Sequence, residues 1–130
     1  MEKMDLKLIN ALDTKDYETA TSLIEKNADV NVRDDEDGDT ALTYACVKGN
    51  PKIAELLIDK GADVNIQDKD GMTALMGACG WGNSKIVKLL INADANLDAK
   101  DKNGETALDL AKKRNYKEII KLLKENGAIE

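Results

Sequence analysis

The sequence has no histidine and no phenylalanine, and its 130 residues include one tryptophan, one proline and two cysteines. Without histidine, imidazole acid/base chemistry and Ser-His-Asp or Cys-His nucleophile systems are excluded. The common zinc sites, which draw on imidazole ligands, are disfavoured for the same reason. Two cysteines are too few for a disulfide framework or a metal cage. No apolar run approaches the roughly 20 residues of a membrane span, and Met1–Asp5 lacks the basic-then-apolar pattern of a signal peptide. These absences point to a reduced, cytoplasmic setting away from membranes. Positive charge is also scarce: 19 basic residues against 25 acidic ones leave a net charge of −6. Phosphate binding needs a basic surface, so nucleic acid is not the expected partner. A core built without phenylalanine must use Leu, Ile, Val and Ala, which suits closely stacked helices.

What the sequence does contain is a repeat. Asp37-Gly38-Asp39-Thr40-Ala41-Leu42 aligns with Asp70-Gly71-Met72-Thr73-Ala74-Leu75 and with Asn103-Gly104-Glu105-Thr106-Ala107-Leu108, at intervals of 33. Ala45, Ala78 and Ala111 correspond further along, as do Ile53, Ile86 and Ile119. A degenerate copy at the front is offset by 34, so the first connecting loop carries one additional residue. The boundaries expected are 1–34, 35–67, 68–100 and 101–130, all within a single domain.

Each unit repeats one grammar. Thr40, Thr73 and Thr106 follow a glycine turn and suit the N-cap of a short helix. Gly49, Gly82 and Asn115 end that helix, being residues that accept a left-handed conformation. Asn50 and Asn83 are expected to cap a second helix, with Pro51 in its first turn. The second helices end near Lys60, Ala93 and Asn126. No single helix pair can bury its apolar stripe alone, so the units must stack as a solenoid. The end units are expected to act as polar caps, with Lys3, Asp5 and Lys7 on the outer side of the first and Lys112 in the last. Two inner repeats between two caps leave no room for a catalytic domain.

The period and the motifs resemble the ankyrin repeat family. Gly-x-Thr-Ala-Leu-x-x-Ala is similar to that family's Gly-x-Thr-Pro-Leu-His-x-Ala, and Leu56 to Asn65 is similar to the second half of its unit. The sequence departs at Ala41, Ala74 and Ala107, where the family has Pro, and at Thr43, Met76 and Asp109, where it has His. Both departures are expected to loosen the helix starts. The resemblance implies an all-α solenoid of four helix–turn–helix repeats joined by extended, hairpin-like loops. It also implies a non-catalytic module that binds another protein, with no cofactor.

Other chemistries fail on spacing. With Gly38 at position 6 of a calcium loop, positions 1 and 12 are Arg33 and Tyr44, and the loops around Gly71 and Gly104 fail likewise. Cys46 and Cys79 sit one repeat apart, roughly 10 Å by helix packing, beyond the about 7 Å a disulfide allows. Gly77-x-x-Gly80-Trp81-Gly82 lies at a helix end without a following Gly-Lys-Ser/Thr, so it is no phosphate loop. Its two helix glycines instead mark the third repeat as the expected first site of unfolding.

In the family, loop tips and first-helix ends form a concave binding surface. Carried onto this sequence, the candidate partner-binding residues are Asp37, Asp39, Tyr44, Lys48, Lys69, Met72, Trp81, Glu105, Lys113 and Arg114. Trp81 is the sole tryptophan, and Trp and Arg dominate interface hot spots. The first tip, Arg33 to Asp39, carries one positive and five negative charges, whereas Lys112, Lys113 and Arg114 sit near the last. The alternative reading is an engineered binder, or a scaffold or fragment of a larger array. A monomer is expected.

Overall fold

The structure, a computed structural model, describes residues 3–129. Eight α-helices make up the regular structure of that region: α1 (Lys3–Asp13), α2 (Tyr17–Glu25), α3 (Ala41–Lys48), α4 (Pro51–Asp59), α5 (Ala74–Gly80), α6 (Ser84–Asn92), α7 (Ala107–Arg114) and α8 (Lys117–Glu125). They pack as four antiparallel pairs. The first helices form one row, α1 against α3, α3 against α5 and α5 against α7. The second helices form another, α2 against α4, α4 against α6 and α6 against α8. Fully buried Leu8, Leu12, Ile24, Leu42, Leu57, Leu75, Leu90, Leu108 and Leu123 make one continuous core. The chain is an all-α solenoid, and its connections form hairpin-like tips, with an isolated bridge between Arg33 and Thr40.

The helix starts follow the sequence closely. Thr40, Thr73 and Thr106 each accept a hydrogen bond from the backbone three residues on, at 3.1, 3.2 and 3.2 Å. Asn50 caps α4 in the same way, through the Ile53 amide. Asn83 does not cap α6. Its side-chain amide instead donates to the Cys46 carbonyl at 2.7 Å, tying the third repeat to the second.

The loss of the family's Pro and His is partly compensated. Asp109 closes a capping box with Thr106, accepting from the Thr106 amide at 3.0 Å. The Thr43 hydroxyl lies 3.1 Å from that of Thr40. Each contact restrains the first turn at a position where the substitution looked loosening.

The tips are joined in a ladder. Asp34 pairs with Asp39, Asp68 with Met72 and Asp101 with Glu105 through N–H to carbonyl bonds of 2.9 Å. The first tip spans one residue more, which is the insertion behind the offset of 34. Lys69 then donates its amide to Asp37, and Lys102 to Asp70. Gly71 is forced here: its φ is +80°, and a Cβ would lie 2.9 Å from the Asp101 backbone. A second ladder runs along the other edge. The Asn31 side chain accepts from the Asp63 amide and Asn65 from the Asn96 amide, both at 2.7 Å. The Ala-Asp-Val-Asn motif is thus a repeat-to-repeat clamp.

The first helix corrects the expected polar cap. Asp5 is buried, and its carboxylate accepts from the Asp29 amide at 2.9 Å. Leu6, between Asp5 and Lys7, is 54% exposed. The side chain of Lys3 lies outside the described residues. Lys7 and Lys112 are exposed as expected.

Candidate functional site

The 33-residue period stacks equivalent positions of the first helices into columns. One column is Asp39, Met72 and Glu105 at the tips. The next is Tyr44, Gly77 and Leu110; then Val47, Gly80 and Lys113; then Lys48, Trp81 and Arg114. In the middle of this face two columns lack a side chain, at Gly77 and Gly80. The result is a notch of about 330 Å³ bounded by Met72, Met76, Trp81, Leu110, Lys113 and Arg114. Trp81, the C-cap residue of α5, is 62% exposed.

The sequence-derived residues separate into two groups. Met72, Trp81, Lys113 and Arg114 meet at the notch. Glu105 joins them through an ion pair with Lys113 at 2.5 Å, which holds the Lys113 ammonium above its usual range. The others are engaged within the framework. The Tyr44 hydroxyl donates to Asp34 at 2.6 Å, and burial, with Asp34 adding to it, pushes the phenol up. Lys69 donates its ammonium to the Asp35 and Glu36 carbonyls at 2.9 and 2.7 Å. Lys48 lies 3.6 Å from Asp13. The Asp37 amide donates to Asp34, and its carbonyl holds the next tip.

Leu110 and Met76 were not among the candidate contacts, Met76 being read only as a departure from the family's His, although the 33-residue period is the signal that reveals them. The glycines were read only as helix breakers, whereas their columns show what they remove from the face.

At the first tip the carboxylates of Asp34, Asp37 and Asp39 converge within 4.8 Å, the one grouping of metal-type ligands among the described residues. Asp34 is already saturated by Tyr44 and by the amides of Asp37 and Gly38. Burial raises its carboxyl, but these donors outweigh it and hold the group below the usual range. Asp39 behaves oppositely. Burial, and then the neighbouring Asp68, Asp34 and Asp37, push it up to about 7. The cysteines are fully buried. Burial pushes the Cys79 thiol up to about 12 and the Cys46 thiol in the same direction, so neither offers a thiolate at neutral pH.

A second hollow of about 330 Å³ lies at the far edge, between Lys100, Gly104, Asp109 and Ile129. It corresponds to the edge on which Gly71 meets the next tip.

Residues 7–68 and 60–129 match the family model for ankyrin repeats (3 copies). The chain belongs to the ankyrin repeat family. Ankyrin repeats are in general protein–protein interaction modules, and the family is in general non-enzymatic. Among curated proteins the ankyrin chain is similar to "Ankyrin repeat and KH domain-containing protein mask-1" of Caenorhabditis elegans, 41% identical over 56 residues, 43% of this chain and 2% of that protein. It is similar to "Ankyrin repeat and SAM domain-containing protein 6" of Rattus norvegicus, 45% identical over 47 residues, 36% of this chain and 5% of that one. It is also similar to the potassium channel AKT1 of rice (Oryza sativa subsp. indica), 43% identical over 58 residues, 45% of this chain and 6% of that one. The matched stretches are thus a small fraction of each relative's length. No helix of the described residues is long and apolar enough to cross a membrane.

Proposed function

We propose that this chain is a non-catalytic binding module that docks another protein on the concave face formed by its tips and first-helix ends. The observation that carries the reading is Trp81. A large aromatic side chain stands 62% exposed at the end of α5, beside the notch that Gly77 and Gly80 leave open. Exposed aromatics next to cations are the residues that dominate interface energetics. The framework around them is rigid, because caps, tip bonds and the asparagine clamp fix each repeat against the next. The candidate contacts are Met72, Trp81, Lys113 and Arg114, with Asp37, Asp39 and Glu105 at the tips, and Tyr44, Lys48 and Lys69 holding the surface in shape. In this reading the module works as a cytoplasmic monomer, with no cofactor and no nucleic-acid ligand.

The test is capture from source-cell lysate by the wild-type chain and by Trp81→Ala/Arg114→Ala, both shown folded by circular dichroism. Trp81 and Arg114 are surface residues, so the variant should retain its helicity. A protein captured by the wild type and lost with the folded variant supports the concave face. A protein captured equally by both moves the site elsewhere on the molecule.

A further inference from the structure

The notch specifies the chemistry of its occupant, an inference that rests on the reading that this face binds protein. Its floor exists because Gly77 and Gly80 stand where the second repeat has Tyr44 and Val47 and the fourth has Leu110 and Lys113. Its walls are the apolar side chains of Met72, Trp81 and Leu110. Two cations stand at its mouth, and they differ. Lys113 is neutralised by Glu105. Arg114 is exposed and engages no carboxylate among the described residues. The buried residues of the lining, Met76 and Gly77, are not polar, so nothing within the notch fixes the orientation of a small polar ligand as a small-molecule site would. Specificity must come from shape and from the mouth.

We infer that the notch docks a segment of a partner protein presenting one large apolar side chain with a carboxylate beside it. The apolar group fills the space over the glycines and against the Trp81 ring. The adjoining carboxylate then lies against the Arg114 guanidinium, whose planar fork matches it in two parallel hydrogen bonds. A basic neighbour in that position meets the uncompensated charge of Arg114 and is rejected.

The experiment is selection of random displayed peptides on the purified chain. Affinities are then read from the emission of Trp81, the sole tryptophan. Three variants separate the possibilities. Gly80→Leu fills the notch: a Cβ there meets nothing within 4 Å and the backbone is ordinary helix, so the variant should fold. Arg114→Glu reverses the mouth. Glu36→Lys reverses an exposed charge on the distant first tip of the same face. The expected result is a consensus of a large apolar residue beside Asp or Glu, with affinity falling at least about tenfold, or about 1.4 kcal/mol, in Gly80→Leu and Arg114→Glu and unchanged in Glu36→Lys. A consensus with Lys or Arg beside the apolar residue overturns the inference, as does failure to enrich any peptide. Peptides that keep their affinity in both notch variants but lose it in Glu36→Lys overturn the notch and leave concave-face binding standing. Peptides indifferent to all three variants overturn both.

Discussion

Two residues show how local physics sets properties that the motif alone does not. Gly80 lies in a helix at ordinary dihedrals with open space where a Cβ would go, so its absence of a side chain lowers helix propensity without relieving any clash. Gly80→Ala is therefore expected to raise stability by about 0.5–1 kcal/mol in chemical denaturation. An unchanged or lower midpoint would show that the bare backbone at this position is itself stabilising. Gly77 is different, because a Cβ there would approach Val47 Cγ2 to 3.2 Å, and alanine gains less. Asp39 carries a pH dependence. Its carboxyl is raised from 3.8 to about 7 by burial and by Asp68, Asp34 and Asp37. The folded state holds that proton more tightly than the unfolded state, so the contribution is fully present below pH 3.8 and is lost as pH rises through about 7. Asp16, Asp34 and Asp109 are lowered and act in the opposite sense, losing their contribution at acid pH. Thermal melts of wild type and Asp39→Asn across this range are expected to converge at the acid end. Wild type should fall behind the variant as neutrality is approached. Parallel curves would contradict the assignment.

At the scale of the element, the caps were legible in the sequence and the cross-repeat ties were not. Thr40, Thr73, Thr106 and Asn50 cap as their position before an apolar run predicts. The fate of Asn83 depends on the Cys46 carbonyl of another repeat, and that of Asp5 on the Asp29 amide, contacts that no local pattern encodes. The same limit changes the account of unfolding. The sequence places first opening in the third repeat, on the strength of two glycines that cost about 1 kcal/mol each. In the structure, Ala74 to Cys79 of α5 are all buried between α3 and α7. Burial of one side chain such as Leu75 or Met76 is worth about 1.5–3 kcal/mol, so two-sided packing outweighs the glycines. Amide hydrogen exchange is expected to show the terminal pairs, α1–α2 and α7–α8, opening before α5–α6. Fastest exchange across residues 74–92 would restore the weight of the glycines.

For the whole molecule, the period of 33 was enough to give the architecture, because stacking is the way these half-apolar helices bury their stripes. The candidate site was legible only in part. Its cations and its tryptophan were visible as residue types, but the notch is defined by side chains that are missing, and an absence acquires meaning only once the columns on either side are in place. The face is also polarised along its length. At the first tip Arg33 bonds the Gly38 and Gln67 carbonyls and Lys69 bonds the Asp35 and Glu36 carbonyls, and the carboxylates of Asp34, Asp35, Glu36, Asp37 and Asp39 outnumber these cations and leave the tip acidic. The notch at the other end keeps Arg114 exposed. The first-helix face is the proposed binding surface. The most direct measurement is the hydrogen-exchange footprint of a captured partner on the wild-type chain. Slowed exchange is expected at the ends of α5 and α7 and at the tips around residues 69–72 and 102–105, with α4, α6 and α8 unchanged. Protection confined to α4, α6 and α8 would contradict it.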